Sequence, residues 1–408
     1  MAGGSLPSLL WSTPWPSDST GAASPSFPFL SAGTSASAAP PPPFTLRGAV
    51  GIFQSIVVGL LVDRFSPARV LFFCAALAGL GFLLLSQVNS YAMFLVVFLC
   101  VISLGMVPFD AATTVSTSRW FTKKRGKAMS LSYTGFAFGS AVVVPVLALV
   151  ISTYGWRTAA FIVAIVVWSV AMPLSTRLYS SPESRGLQPD GPDPGAPPRE
   201  PGPVPTSALT DFSRRAAFRN PAYWMLSFSC GLRAAVFMSI GLHMVAVMIW
   251  KGIDEATAGV LIGVFGFVWL VATPVMGWAG DRWSKTRVAA TPAFLGAGSM
   301  LILLFMDRVE AWQMAVLLAL WASNEGSWAL NFSILADRFG LRHYGALRGG
   351  MLMVVNITSF GAPFYSGWVF DTTESYYWVI FPAVFLLALA GLLNWFLPQA
   401  RPAKPVPA

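Results

Sequence analysis

The sequence predicts an all-α membrane protein of two pseudo-symmetric helical bundles, and three observations predict it. Of 408 residues, 55% are hydrophobic and only 11% charged, with a mean hydropathy of +0.64, whereas a soluble domain carries about 25% charged residues. Apolar runs near the ~20 residues needed to cross a bilayer recur eleven times. An internal repeat relates the two halves at a shift of 218 or 219 residues.

The first five runs lie near 44–63, 69–88, 91–117, 128–152 and 156–177. Six more follow near 222–249, 257–280, 288–306, 311–336, 347–370 and 376–397. Between the sets, Ser180–Pro205 holds nine prolines and four glycines, a composition that behaves as a semi-extended linker. Leu209–Asn220 mixes apolar residues with three arginines and suggests either a short interfacial helix or a solvated connector. The expected organisation is a Ser/Pro-rich disordered tail (1–43), a first bundle (44–178), a linker (179–221), a second bundle (222–398) and a short tail (399–408). The tail before Arg47 has no Lys or Arg, so it is neither a signal peptide nor a mitochondrial presequence.

Charge placement sets the expected topology. All but five of the 26 Lys and Arg fall in one set of alternate loops, in the linker or in the C-terminal tail, and such residues stay cytoplasmic. Linker and C-terminus are therefore expected inside. The net charge of +9 needs no nucleic acid to explain it. Cys74, Cys100 and Cys230 lie in apolar runs, an arrangement that gives neither a disulfide framework nor a metal site. His243 and His343 stand a hundred positions apart without cysteine neighbours, so zinc or triad chemistry has no footing. No enzyme, cofactor, metal or ATP-binding loop is implied.

The repeat is read from two elements. Gly59-Leu-Leu-Val-Asp63-Arg64-Phe65-Ser66-Pro-Ala-Arg69 recurs as Gly277-Trp-Ala-Gly-Asp281-Arg282-Trp283-Ser284-Lys-Thr-Arg287, and Arg119-Trp120 through Gly126 recurs as Arg338-Phe339 through Gly345. Parallel six-helix repeats joined by a cytoplasmic linker characterise one large class of secondary transporters. The G-x3-D-R-x4-R loop resembles the recurring cytoplasmic motif of the major facilitator superfamily, with Ser66 and Ser284 in place of its usual glycine and Pro67 interrupting the basic run.

A narrower resemblance lies in Trp120-Phe-Thr-Lys-Lys-Arg-Gly-Lys-Ala-Met-Ser-Leu-Ser-Tyr-Thr-Gly135 with Gly139 and Tyr154-Gly-Trp-Arg157, and in Ala336-Asp-Arg-Phe-Gly-Leu-Arg-His-Tyr-Gly345 with Gly361, Pro363, Gly367 and Asp371. These are similar to the monocarboxylate transporter and oxalate/formate antiporter group. The resemblance makes 44–63 the family's second helix and expects its first, a cavity wall, within residues 1–43, where no apolar run of that length stands. A wrong or altered start of the sequence is the favoured explanation, and a lost cavity wall the other. The resemblance also implies that the two motif loops form a lock, with Asp63 and Asp281 capping helix ends and Arg64, Arg69, Arg119, Arg282, Arg287 and Arg338 pairing across the cytoplasmic face.

Ionisable groups inside the hydrocarbon cost at least ~2.5 kcal/mol at a helix centre and are candidate functional groups. Arg233 lies near mid-span, about 16 Å along its helix, where a guanidinium could pair bidentately with a carboxylate; a structural partner for a buried acid is the alternative. Glu325, in the family's tenth helix, could take up a proton once removed from water, or form a fixed ion pair with Arg233. Asp110, after Pro108, is a proton-coupling candidate whose blander reading is a helix-end hydrogen bond or inner gate. His243, Asn324, Asn331, Asn356 and Tyr133 offer hydrogen bonds in apolar walls, though such groups more often bridge helices.

The drug/proton antiporter signature is incomplete at Gly135, Gly139 and Pro145, and Ala258–Gly280 lacks the Asp and Arg that animal monocarboxylate transporters place in their eighth helix. The expected function is a monomeric secondary transporter of a small, monocarboxylate-like organic anion, as symporter or antiporter, with protons as a coupling partner, in the inner or plasma membrane. A non-transporting membrane receptor or regulator on the same fold and an exporter of amphipathic drugs are the alternatives.

Overall fold

The computed structural model describes residues 42–178, 182, 189–190 and 212–398; nearly all of the Ser/Pro-rich N-terminal tail, most of the linker and the C-terminal tail lie outside them. The described residues are mainly helical across the predicted spans. In the first half these are α1 (Pro42–Arg64), α2 (Pro67–Ser86), α3 (Tyr91–Trp120), α4 (125–154) and α5 (156–176). The second half holds α6 (Arg214–Phe218), α7 (Pro221–Gly241), α8 (Met244–Trp250), α9 (Glu255–Arg282), α10 (Lys285–Phe305), α11 (Ala311–Gly326), α12 (Trp328–Phe339), α13 (Tyr344–Phe360), α14 (Ala362–Thr373) and α15 (Tyr377–Trp395). Seven helices among the described residues are by themselves long and apolar enough to cross a membrane.

Polar residues start the helices where the chain re-enters an apolar run. Ser66, Ser90, Asn220 and Asp254 each accept a hydrogen bond from a first-turn amide, and Pro67 and Pro221 occupy first-turn positions that need no donor. Gly155 separates α4 from α5 because its φ of 82° is open to glycine alone without strain. Three predicted spans are broken: 222–249 at Leu242 and His243, 311–336 at Ser327 and 347–370 at Gly361. Large apolar side chains such as Phe53, Phe305 and Trp368 point outward, as a lipid-facing surface requires.

The two halves share a hydrophobic core only at the end that carries both Asp-Arg loops, the basic end. There Val58, Val62, Ala111, Ala112, Val115 and Met129 of the first half pack with Leu330, Phe332, Ile334, Leu347 and Met351 of the second. Toward the opposite end, separate cores serve each half, Val88, Val97 and Ile102 in the first and the Val236–Leu387 cluster in the second.

Candidate functional site

Two seams join the halves at the basic end, and each is built the same way. Asp63, at the end of α1, accepts hydrogen bonds from the amides of Gly345 (2.8 Å) and Ala346 (2.9 Å) at the start of α13. Asp281, at the end of α9, accepts from Gly126 (2.8 Å) and Lys127 (2.7 Å) at the start of α4. A carboxylate placed on the positive end of a helix dipole meets amides that have no partner within their own helix. Glycine makes the approach possible: a Cβ on Gly59 would collide with the Gly345 carbonyl, and one on Gly277 with Ser130 and the Gly126 carbonyl.

The motif aspartates thus cap helices as expected, but helices of the other half. The expected pairing is corrected for Arg64, Arg69, Arg282 and Arg287. Arg64, Arg69, Arg282 and Arg287 make no ion pair among the described residues; Arg64 lies over Phe65 and Arg287 over Trp395. Arg338 donates to the Pro398 carbonyl. The backbone amides suffice to hold each aspartate, which leaves the arginines to the surface. The ion pairs belong instead to Arg125, Asp337 and Lys285: Arg125 pairs with Asp337, and Lys285 reaches Asp337 at 2.6 Å and Asp281 at 3.6 Å.

Inside these seams lie two buried arginines. Arg233 on α7 is 1% exposed. It donates to the Asn324 carbonyl and to Ser327 Oγ (3.0 Å) at the break between α11 and α12, and its guanidinium faces the Trp328 ring at 5.9 Å. Its Nε and Nη1 have no hydrogen-bond partner, and neither does the neighbouring Asn324 Oδ1. Glu325 is also buried and accepts from Asn324 Nδ2 at 2.9 Å. No ion pair joins Arg233 to Glu325, so the fixed-pair alternative does not describe this geometry.

The second arginine, Arg348 on α13, was read from sequence only as a loop charge that sets topology. The structure buries it to 2% exposure. It pairs with Asp110 of α3, lies over the Phe332 ring at 4.7 Å and approaches the Tyr133 hydroxyl at 3.5 Å. Tyr133 Oη donates to the other Asp110 oxygen at 3.0 Å and its ring stacks on Phe332. Tyr133 therefore belongs with Asp110 and not with Arg233. The repeat register carried a signal for Arg348: a shift of 219 places it on Met129, which is 1% exposed.

Other candidates are placed elsewhere. Asn356 donates to the Gly51 carbonyl (3.1 Å) and Ser55 Oγ (2.9 Å), bridging α13 to α1. His243 stands at the break before α8 with Nδ1 3.4 Å from Tyr376 Oη, and Asn331 donates back to Trp328. Among the described residues no group of His, Cys, Asp and Glu could hold a metal ion.

The comparisons with known proteins agree with this architecture. The family model described as Major Facilitator Superfamily matches residues 19–251. Monocarboxylate transporter 11 of Homo sapiens is 26% identical over 302 residues, 70% of this chain and 59% of that protein's length. Monocarboxylate transporter 13 of Bos taurus is 25% identical over 370 residues, 88% of this chain and 81% of its own. Membrane sensor protein UhpC of Salmonella typhimurium is 26% identical over 204 residues, 47% of this chain and 45% of its own.

Two solved structures share the fold. The E. coli fucose:proton symporter FucP superposes with a TM-score of 0.67 at 14% identity, covering 87% of this chain and 91% of its own. The human organic anion transporter MFSD10 (TETRAN) gives 0.64 at 13%, covering 86% and 83%. With a family model over more than half its length, two halves related by repeat and fused at the basic end, and this likeness of fold, the chain is a multi-pass membrane protein that belongs to the major facilitator superfamily and resembles its monocarboxylate transporters.

Proposed function

We propose that the protein is a secondary transporter, without enzymatic activity, that carries a small monocarboxylate-like organic anion by alternating access, and that its basic end faces the cytoplasm. One observation carries the reading: Arg233 is buried with two of its three guanidinium nitrogens unpartnered and no carboxylate paired to it. Arginine keeps its charge in proteins and presents a planar fork of donors, so a buried, half-satisfied guanidinium is a receptor for an anion from outside the chain. Asn324 and Trp328 border it, and Glu325, desolvated beside it, is the group proposed to exchange a proton with the transported anion. Asp63 and Asp281 serve as the gate that must open on the basic side, and the neighbouring motif arginines meet the lipid headgroups there.

The test is uptake of radiolabelled small carboxylates into proteoliposomes, with and without an inward proton gradient. Gradient-stimulated uptake that disappears in Arg233→Ala and loses its gradient dependence in Glu325→Gln is the expected result. Folded protein that takes up no carboxylate would overturn the reading. The likeness to a protein named as a membrane sensor favours, in that event, a receptor that binds an anion without carrying it, which direct binding of the same labelled carboxylates would reveal.

A further inference from the structure

We propose that Arg348 is a second carboxylate-binding residue and that Asp110 holds the ligand's place in the conformation seen here. Arg348 is the buried member of the pair and Asp110 the accessible one: their side chains are 2% and 31% exposed. A buried guanidinium keeps its charge, and removing one member of a buried pair is strongly destabilising, so a ligand at Arg348 has to take over the place of Asp110. Asp110 fills that role incompletely. It takes one terminal nitrogen of Arg348, while Nε of the same guanidinium has no partner. The second Asp110 oxygen is occupied by the Tyr133 hydroxyl at 3.0 Å. Tethered to α3 and held by Tyr133, Asp110 engages one nitrogen only.

A free carboxylate has no such tether and can meet Nε and the terminal nitrogen together in the bidentate geometry that strengthens such pairs. The surroundings suit the carboxylate of a small organic acid, because the Phe332 ring lies against the guanidinium and stacks in turn on Tyr133. The position also has a mechanical consequence. Asp110 belongs to the first half and Arg348 to the second, three residues along α13 from the amide that Asp63 holds. A ligand that replaces Asp110 removes the ion pair between the halves at the floor of the shared core. Only the ligand class, carboxylate, rests on the reading of the chain as an organic-anion carrier.

Acetate is the probe. The unfolding midpoint of the full-length protein in detergent micelles is followed as acetate replaces chloride at constant ionic strength. Asp110→Asn removes the resident charge, and Tyr133→Phe removes the hydroxyl that helps to hold it. Acetate is expected to raise the midpoint of Asp110→Asn by several degrees and that of Tyr133→Phe by less, both beyond the parent's response. Adding Arg348→Gln abolishes the gain, and adding Arg233→Ala does not.

The site is overturned if neither variant responds more than the parent, if the gain survives Arg348→Gln, or if it depends on Arg233. Should Asp110→Asn fail to fold, Tyr133→Phe decides by the same criteria. An Arg348-dependent response in protein that transports no carboxylate removes the transport reading and leaves this site standing. Carboxylate uptake without an Arg348-dependent response removes this site alone.

Discussion

The seam between α1 and α13 and the seam between α9 and α4 are the same device in different electrical surroundings. Both place an aspartate on the first amides of a helix from the other half, at nearly equal distances, over glycines that let the backbones touch. Around Asp281 the device is embedded in charge, with Lys285, Asp337 and Arg125 in a chain that crosses the halves. Asp63 has no such chain of ion pairs among the described residues, although Arg214 and His343 act on it electrostatically: the repeat equivalent of Arg125 is Tyr344, whose hydroxyl donates to the Phe332 carbonyl at 3.0 Å, and that of Lys285 is Pro67.

The linker touches both loops. Its Asp190 and Phe212 amides bond the equivalent carbonyls of Trp120 and Phe339, and at the first the Asp190 carboxylate accepts from Thr122, Lys123 and Lys124. Backbone recognition is thus the part the halves share, and side-chain charge is where they diverged. A carboxylate on a helix N-terminus needs only its own geometry, whereas an ion-pair chain needs every member.

If the shared part is what closes the basic end, the glycines should matter most. Gly59→Val would drive a side chain into the Gly345 backbone, and Gly277→Val into Ser130 and the Gly126 carbonyl. Each should cost about 3 kcal/mol or hold the seam apart, with Gly59→Val the worse because backbone yields less than a serine. The check is the distance between spin labels at Lys124→Cys and Ser284→Cys, in a chain whose three native cysteines are alanine. An unchanged distance and melting point in Gly59→Val would remove the seam from the account.

Next in size, Asp63→Asn and Asp281→Asn should each weaken closure by about 1–2 kcal/mol through the lost charge at a helix N-terminus. Their salt dependence should separate them: raising ionic strength should shrink the difference from the parent more for Asp281→Asn than for Asp63→Asn, because Asp281 is ion-paired to Lys285 and Asp63 makes no ion pair among the described residues. Equal salt dependence would erase the distinction drawn here.

The linker contact should respond to acid. Burial pushes the Asp190 carboxyl up, but the hydrogen bonds from the Thr122 hydroxyl and from the amides of Thr122, Lys123 and Lys124 outweigh it and hold the group below its ordinary 3.8. A carboxyl lowered in the folded state contributes its full stability above the unfolded value and loses it as pH falls through the folded one. Amide exchange, corrected for its intrinsic pH dependence, should therefore lose protection at 122–124 only below about pH 4. Asp190→Asn should lose about 1 kcal/mol of that protection at neutral pH, the order of one net hydrogen bond, while the loop at Phe339 stays unaffected. Smallest of all, Lys285→Ala should change the melting point by less than about 1 kcal/mol equivalent, since ion pairs still partly open to solvent are screened. A larger loss would mean that the charge chain, and not the aspartate cap, holds that seam.

Much of this was legible in sequence. Span positions followed from apolar run length alone, and the register of Asp63 with Asp281 marked the two loops as equivalent. Arg233 and Glu325 stood out because charge in an apolar run is rare enough to identify by position. Arg348 did not, since three residues beyond Gly345 it reads as one more basic residue near a loop. The partners of the motif arginines were misread for a related reason: charges close in sequence invite pairing, but a carboxylate at a helix end finds unpaired amides first.

Composition, the period of apolar runs and the internal repeat determined by themselves that this chain crosses a membrane as two related helical halves, because hydrocarbon admits only segments that satisfy their own backbone. Which half each aspartate grips, that Arg233 makes no ion pair while Arg348 makes one, and that α3, α4 and α13 meet around Phe332 were decided only by tertiary structure. The contacts between the halves join residues more than 150 positions apart, and their partners are set by how helices pack across the seam and not by any local pattern along the chain.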